Sequence, residues 1–348
     1  MEKTMDSLKK LFKNKSCLVV AEIAQAHEGS LGMAHAYIDA VADAGVDAVK
    51  FQTHIAEAES TIDEPWRVKF SYQDRTRYEY WKRMEFTPIQ WQGLAEHARQ
   101  KNILFFSSPF SLEAVDLLEI LNIPIWKIGS GEITNKPLIE KILKTGKPIF
   151  ISTGMGTLEE LDTCIQWIKD AGNQFVVLQC TSAYPCPPEK VGLNLLEFYH
   201  DRYQSFVGFS DHSGTIYPGV IATYLGASVI EVHVTFSEKA FGPDVEASLT
   251  IDELRNLVGG VNFASELLAN PVEALSYQNE FSDLRKVFYK SIVAKKDLSV
   301  GSVITESDVM FKKPGSGISP ARLDEFLGRK LIKAVSKDQQ LKDEYFKG

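Results

Sequence analysis

The chain has 348 residues, 44% of them hydrophobic and 24% charged, with a formal net charge of −8. That length allows a large core and more than one domain, and the composition is that of a folded globular protein rather than a disordered one. The negative balance argues against nucleic acid or an anionic membrane as a partner, and no apolar run reaches transmembrane length.

Residues Met1 to Ser16 are Lys-rich but lack the apolar stretch of a signal peptide. Short apolar, β-branched runs then recur with helical stretches between them. They are Cys17–Ile23, Ala48–Gln52, Ile103–Ser107, Ile125–Ile128, Pro148–Ser152, Phe175–Cys180, Phe206–Phe209 and Ser228–Val232. Each is too apolar for a half-exposed strand, which predicts parallel strands covered on both faces. The intervals carry helix signals: Ala34 to Ala44 ending at Gly45, Thr87-Pro88 opening a helix that runs to Lys101, and the capping-box pattern Thr157-Leu158-Glu159-Glu160. Eight such units in about 260 residues predict an α/β fold, a (β/α)8 TIM barrel. The competing architecture is an open doubly wound sheet, but no Gly-rich dinucleotide fingerprint follows the first strand.

The longest connection, Thr53 to about Phe86, is rich in charge and aromatics. Two readings stand: a lid over the barrel mouth, or a surface elaboration packed on the outer helices. After the barrel (1–268), residues 269–284 read as a linker and 285–348 as a separate small domain, with strand-like pieces Ser291–Ala294 and Leu331–Ala334. The four cysteines, Cys17, Cys164, Cys180 and Cys186, show no CxxC spacing and are read as reduced thiols of a cytoplasmic protein.

In a barrel of this type the chemistry lies at the C-terminal ends of the strands. Those ends collect Glu22, Lys50 with Gln52, Ser108, Lys127 with Ser130 and Glu132, Ser152, Ser182 with Tyr184, Ser210 with His212, and His233. Lysine charge with serine hydroxyls suits a phosphate or carboxylate, and two imidazoles at one rim suit a transition metal with open positions. The residues alone thus point to a small, multiply anionic ligand beside a metal. They leave open a metal-assisted condensation, a Schiff-base aldolase using Lys50 or Lys127, a metal-dependent hydrolase, or a non-catalytic sugar-binding barrel.

The strand-end motifs, in order, resemble the sialic acid synthase (N-acetylneuraminate synthase) family. They are Ala21-Glu22-Ile23 with His27-Glu28-Gly29, Lys50-Phe51-Gln52-Thr53, Ser107-Ser108-Pro109-Phe110, Lys127 to Glu132, Ser152-Thr153-Gly154-Met155, Cys180 to Pro185, Gly208 to His212 and Gly242-Pro243-Asp244. The stretch from Ser291 through Lys330 is similar to the family's antifreeze-like (SAF) domain. The resemblance implies a transferase that joins phosphoenolpyruvate to the aldehyde of an N-acylated mannosamine-type sugar, with phosphate leaving by C–O cleavage. It implies a divalent metal, manganese or magnesium, on His212 and His233, and phosphoenolpyruvate held by Lys50, Ser108, Lys127, Ser130, Ser152, Ser182 and Ser210. It implies sugar contacts from Gln52, Tyr184 and Asp244, with Glu22 and Glu132 positioning the sugar or handling protons. It also implies a domain-swapped homodimer in which Lys313 stands where many members place an Arg that reaches the sugar's acyl group in the partner's site. Ser182 stands where Asn is common in the family, and Ser108 where Thr is common. The Gly242-Pro243-Asp244 motif is more similar to neuraminate and legionaminate synthases than to pseudaminate synthases; spore-coat polysaccharide synthases fall within the same resemblance.

Overall fold

The computed structural model describes residues 8, 11, 12, 15–273 and 280–346, which form two compact units divided between Asn270 and Pro271. Most of the stretch 1–16, and residues 274–279 of the expected linker, lie outside the described residues.

The first unit is a nearly closed parallel barrel of the (β/α)8 type. Its strands are β1 (Leu18–Ala24), β2 (Ala48–Thr53), β3 (Leu104–Pro109), β4 (Trp126–Ile128), β5 (Ile149–Ser152), β6 (Phe175–Cys180), β7 (Phe206–Asp211) and β8 (Val229–Thr235). They are hydrogen-bonded in the order β3-β2-β1-β8-β7-β6-β5-β4. β3 and β4 come side by side and complete the ring without a ladder of their own. The apolar runs become strands because both faces are covered: the core joins Val20, Val49, Phe106, Ile151, Val177 and Ile230 from the strands to Ile38, Trp91, Leu94 and Ile168 from the helices. One short strand, β9 (Ser248–Thr250), adds to the edge of β8 and was not foreseen.

Two helices begin where the sequence signals place them, after Thr87 and Thr157, while the first starts at Leu31 rather than at the expected Ala34. Ser30 caps Leu31–Asp43 by accepting from the Met33 amide, and Thr87 and Thr157 each close a full capping box, at Pro88–Gln100 and Leu158–Ala171. A crossover helix, Tyr217–Tyr224, joins β7 to β8, so the two strands that bring the histidines are parallel neighbours.

The long connection after β2 holds two short helices, Ala56–Glu59 and Arg77–Met84. It has its own apolar cluster of Ala56, Tyr80, Trp81 and Met84, with Trp66, Phe70 and Tyr78 packed on it. Arg83 fastens it, donating to both carboxylate oxygens of Asp74 and to the Glu28 carbonyl at 2.8 Å.

The second unit packs Ile292, Leu298, Ile304, Ile318, Phe326, Leu331, Val335 and Leu341 into a small core. Its one two-stranded ladder pairs Ser291–Ala294 with Val309–Lys312, antiparallel. The expected strand Leu331–Ala334 is not formed: Leu331 and Val335 make single bridges to Phe346 and Leu298. With turns every few residues, apolar side chains here mark anchor points of a wound chain rather than continuous strands. All four cysteines are buried free thiols. No helix among the described residues is long and apolar enough to cross a membrane.

Candidate active site

A cavity of about 640 Å³ opens at the C-terminal ends of the strands, and the connection after β2 forms one of its walls. Lid residues Glu64, Trp66, Arg67, Phe70 and Trp81 line it together with the strand-end residues, which decides for the lid over the surface elaboration.

Register builds the floor. Glu22 on β1 is paired with Lys50 on β2 and with His233 on β8, and Ser210 on β7 with Glu231 on β8. Alternation then sends Lys50 and Gln52 to one face, as it does Glu231 and His233. Lys50 Nζ lies 3.0 Å from Glu22 Oε2 and 3.2 Å from Glu231 Oε1. Lys127 Nζ lies 3.3 Å from the same Glu231 oxygen and donates to Ser152 Oγ at 2.6 Å. Lys50 also donates to Ser108 Oγ (3.4 Å), and Ser210 Oγ donates to Glu231 (3.0 Å). Glu231 Oε2 has no hydrogen-bond partner among the described residues.

Both lysines and both glutamates are buried, so their charges survive only by pairing. Burial alone would raise the Glu231 carboxyl, but Lys127 and Lys50 outweigh it and hold the group below the usual carboxylate range. Burial likewise works against the Lys50 ammonium, yet Glu22 and Glu231 push its pKa up. Lys127 goes the other way: burial and the neighbouring Lys50 charge lower it more than Glu231 restores.

Ser130 and Ser182 converge on Gly154, where a Cβ would stand 2.9 and 2.5 Å from their hydroxyl oxygens. Only a residue without a side chain leaves this cradle open. The pocket therefore gathers two ammonium groups and five serines (Ser108, Ser130, Ser152, Ser182 and Ser210) around one space, a set able to hold a phosphorylated carboxylic acid.

Beside it, the rings of His212 and His233 have centroids 5.4 Å apart, and Tyr184 stacks on His212 at 4.0 Å. His212 Nδ1 donates to the Thr181 carbonyl at 2.8 Å, leaving the Nε2 lone pair toward the cavity. Burial, with His233 next to it, holds His212 down to about 3, so the ring is neutral, the form that ligates a metal. The described residues contain no cluster of three or more His, Cys, Asp or Glu suited to a metal. The two imidazoles fit a divalent ion that takes its remaining ligands from water and substrate oxygens.

On the outer side, Gln52 Nε2 donates to Glu22 Oε1 (2.9 Å), and Gln52 Oε1 lies 3.2 Å from both Gln25 Nε2 and His54 Nε2. Glu132 is half-buried and accepts from the Asn135 amide (2.7 Å); burial raises its pKa. Asp244 accepts from Arg67 Nη2 at 2.7 Å, and the Arg67 guanidinium lies 4.6 Å over the Tyr184 ring.

Every expected site residue of the barrel lines this one cavity: Glu22, Lys50, Gln52, Ser108, Lys127, Ser130, Glu132, Ser152, Ser182, Tyr184, Ser210, His212, His233 and Asp244. Lys313 belongs to the second unit, where its ammonium lies 4.8 Å over the Phe288 ring. Two residues were missed. Glu231 could have been found as an acid inside an apolar strand, two positions before His233 and so on its face. Arg67 has no such signal, since it sits in an aperiodic segment of the lid.

Comparison with known proteins places these residues in context. A model of the NeuB family matches residues 37–273, and one of the SAF domain matches residues 289–346. The chain is 35% identical over 335 residues to N,N'-diacetyllegionaminic acid synthase of Campylobacter jejuni, covering 94% of this chain and 100% of the relative. It is 33% identical over 334 residues to N-acetylneuraminate-9-phosphate synthase of Homo sapiens, covering 94% and 92%. The crystal structure of N-acetylneuraminic acid (sialic acid) synthetase from Leptospira borgpetersenii is similar with a TM-score of 0.67 at 28% identity, over 77% of this chain and 91% of that one.

Proposed function

This chain belongs to the NeuB family, and from that premise we propose that it is a nonulosonic (sialic-type) acid synthase. It joins C3 of phosphoenolpyruvate to the open-chain aldehyde of an N-acylated mannosamine-type sugar, while water adds at C2 and phosphate leaves by C–O cleavage to give a 2-keto acid. One observation carries this reading: two buried lysines ringed by serines share a cavity with two buried histidines. The first group matches a phosphorylated enol acid, and the second a metal that meets an aldehyde.

Lys50 and Lys127 bind the phosphate and carboxylate, with Ser108, Ser130, Ser152, Ser182 and Ser210 giving direction to the contacts. Glu22, Gln52, Glu132, Tyr184 and Asp244 orient the sugar so that its aldehyde carbon faces the enol carbon, which is where most of the rate gain of a two-substrate condensation arises. A divalent ion on His212 and His233 would polarise the aldehyde oxygen as a Lewis acid. Glu132, with its carboxyl raised by burial, is the carboxylate we assign to proton exchange. A Schiff base needs a neutral lysine; two carboxylates hold Lys50 charged, which disfavours that route at Lys50 and leaves Lys127, whose pKa is lowered, as its candidate.

We place the reaction in the cytoplasm, and the assembly as a homodimer in which each SAF domain covers the partner's barrel mouth with Lys313. Removing residues from Arg285 onward should leave a folded barrel with little activity, and full activity in the shortened chain would exclude the swapped cover. The reaction itself is tested by phosphate release from phosphoenolpyruvate with manganese, across N-acetylmannosamine, its 6-phosphate and 2,4-diacetamido-trideoxy hexoses. Release that needs both one sugar and the metal is expected. No release with any sugar, from folded and metal-loaded protein that binds manganese, would refute the synthase.

A further inference from the structure

We propose that the sugar joined at this site is uncharged: it carries no phosphate of its own, and the lysine pair on the cavity floor receives the only phosphate that the site accommodates. The proposal rests on the synthase reading above and narrows it to one substrate class.

The charge on the cavity wall carries the argument. Among the described residues that line it, six carboxylates face four lysine and arginine side chains. Two of the four are Lys50 and Lys127, buried on the floor beside serine hydroxyls. The other two, Arg67 and Arg77, come from the lid and are partly exposed, with side-chain accessibilities of 43% and 27%. Neither has a serine hydroxyl among its hydrogen-bond partners, as both floor lysines have, so neither offers an anion the directed donors of the floor. Arg67 Nη2 lies 2.7 Å from Asp244 Oδ1 and also donates to the Pro243 carbonyl. Arg77 Nη1 lies 3.1 Å from Glu64 Oε1 and donates to the Pro65 carbonyl at 3.2 Å.

Two acids remain, and neither has a lysine or arginine partner. Glu59 is bound by His54 (2.6 Å) and Glu132 by the Asn135 amide. Within the barrel the wall holds no surplus cation, and Lys313 of the partner subunit is expected at the sugar's acyl group. A sugar phosphate would have to displace Asp244 or Glu64 from its arginine, and would leave that carboxylate unpaired beside a dianion. A neutral sugar meets no such conflict. Its hydroxyl and amide N–H groups are donors, and Glu22, Glu132 and Asp244 are acceptors; its C–H faces can lie on Trp66.

The test uses the full chain with phosphoenolpyruvate and manganese. kcat/KM is measured for N-acetylmannosamine, for a 2,4-diacetamido-trideoxy hexose and for N-acetylmannosamine 6-phosphate. The better neutral sugar should exceed the phosphorylated one by roughly 100-fold or more. The variant Glu64→Gln, which keeps the shape but frees the Arg77 charge, should improve relative use of the 6-phosphate by roughly tenfold. Equal or better use of the 6-phosphate by the unaltered protein would overturn the neutral-sugar proposal and leave the synthase standing. Absence of phosphate release with all three sugars would remove the synthase reading, and this proposal with it.

Discussion

Lys127 and Glu231 stand on strands diametrically opposite in the ring, β4 and β8, and still meet, with Nζ 3.3 Å from Oε1. The barrel centre at this level is therefore spanned by an ion pair rather than packed with hydrocarbon, and Lys50 joins the same oxygen from β2.

Removing that carboxylate leaves two buried ammonium groups with one fewer counter-charge. Glu231→Leu should cost about 3–5 kcal/mol of stability, the usual penalty for breaking one side of a buried pair, as read by denaturant unfolding. Glu231→Gln keeps the shape. It withdraws the influence that raises Lys127, while burial and Lys50 continue to lower it. Lys127 then loses its proton at lower pH, so the alkaline limb of kcat/KM for phosphoenolpyruvate should move to lower pH. An unmoved limb would show that Lys127 does not control it.

Arg67 ties the lid to the sugar side of the pocket through Asp244 and the Tyr184 ring. Arg67→Ala should raise KM for the sugar roughly tenfold, from an ion pair of about 1 kcal/mol and a cation–π contact of similar size. KM for phosphoenolpyruvate should stay within about twofold, because Arg67 lies away from the lysine floor. Equal increases in both constants would mean that the residue acts on the whole lid instead.

Asp74 anchors the lid through Arg83, which donates to both of its carboxylate oxygens. Asp74→Ala should cost about 1–3 kcal/mol locally and expose the 54–86 segment to a protease while the barrel stays intact. Unchanged digestion of that segment would show that the aromatic cluster alone secures it.

Gly154→Ala places a methyl between Ser130 and Ser182. The expected result is a rise of roughly tenfold or more in KM for phosphoenolpyruvate together with a lower melting temperature, since the methyl would stand 2.5 Å from Ser182 Oγ, 2.9 Å from Ser130 Oγ and 3.0 Å from Cys180 Sγ and must push them aside. Unaltered KM would mean that the cradle holds neither the phosphate nor the carboxylate.

His233→Ala should abolish tight manganese binding, measured by calorimetry on the protein without substrates, because one remaining imidazole makes a weak site. Chelation should silence the unaltered enzyme, and borohydride with a carbonyl substrate should trap no covalent adduct. Full activity in chelator together with a trapped lysine would instead support the Schiff-base route.

The eight strands were legible because a parallel strand covered on both faces must be apolar along its whole length, as in Phe175–Cys180 and Val229–Thr235. Helix starts were legible where a hydroxyl and an acid or amide are spaced to close a capping box, as at Thr87 and Thr157. The site was legible as far as strand ends determine it. Glu231 was overlooked because one acid in an apolar run carries no periodic signal, and its meaning depends on lysines 181 and 104 positions earlier in the chain, at Lys50 and Lys127. Arg67 and the bridges of the second unit depend on loop paths, which follow turn geometry and long-range packing rather than hydrophobic period.

Because the 54–86 connection closes around its own aromatic cluster, it is a cassette as well as a cover. Its joints to the barrel include Arg83 to Glu28, Arg67 to Asp244, Tyr72 against Phe241, Phe86 against His27 and Trp91, and the ring of His54 stacked between Trp81 and Phe110. Exchanging this segment between homologues, with those joints kept, would transplant the acceptor-facing wall onto an unaltered lysine and histidine floor. The outer wall of the pocket (Glu64, Trp66, Arg67 and Phe70) and the strand ends that carry the lysines, the histidines, Glu22 and Gln52 are thereby separately heritable parts of one chain.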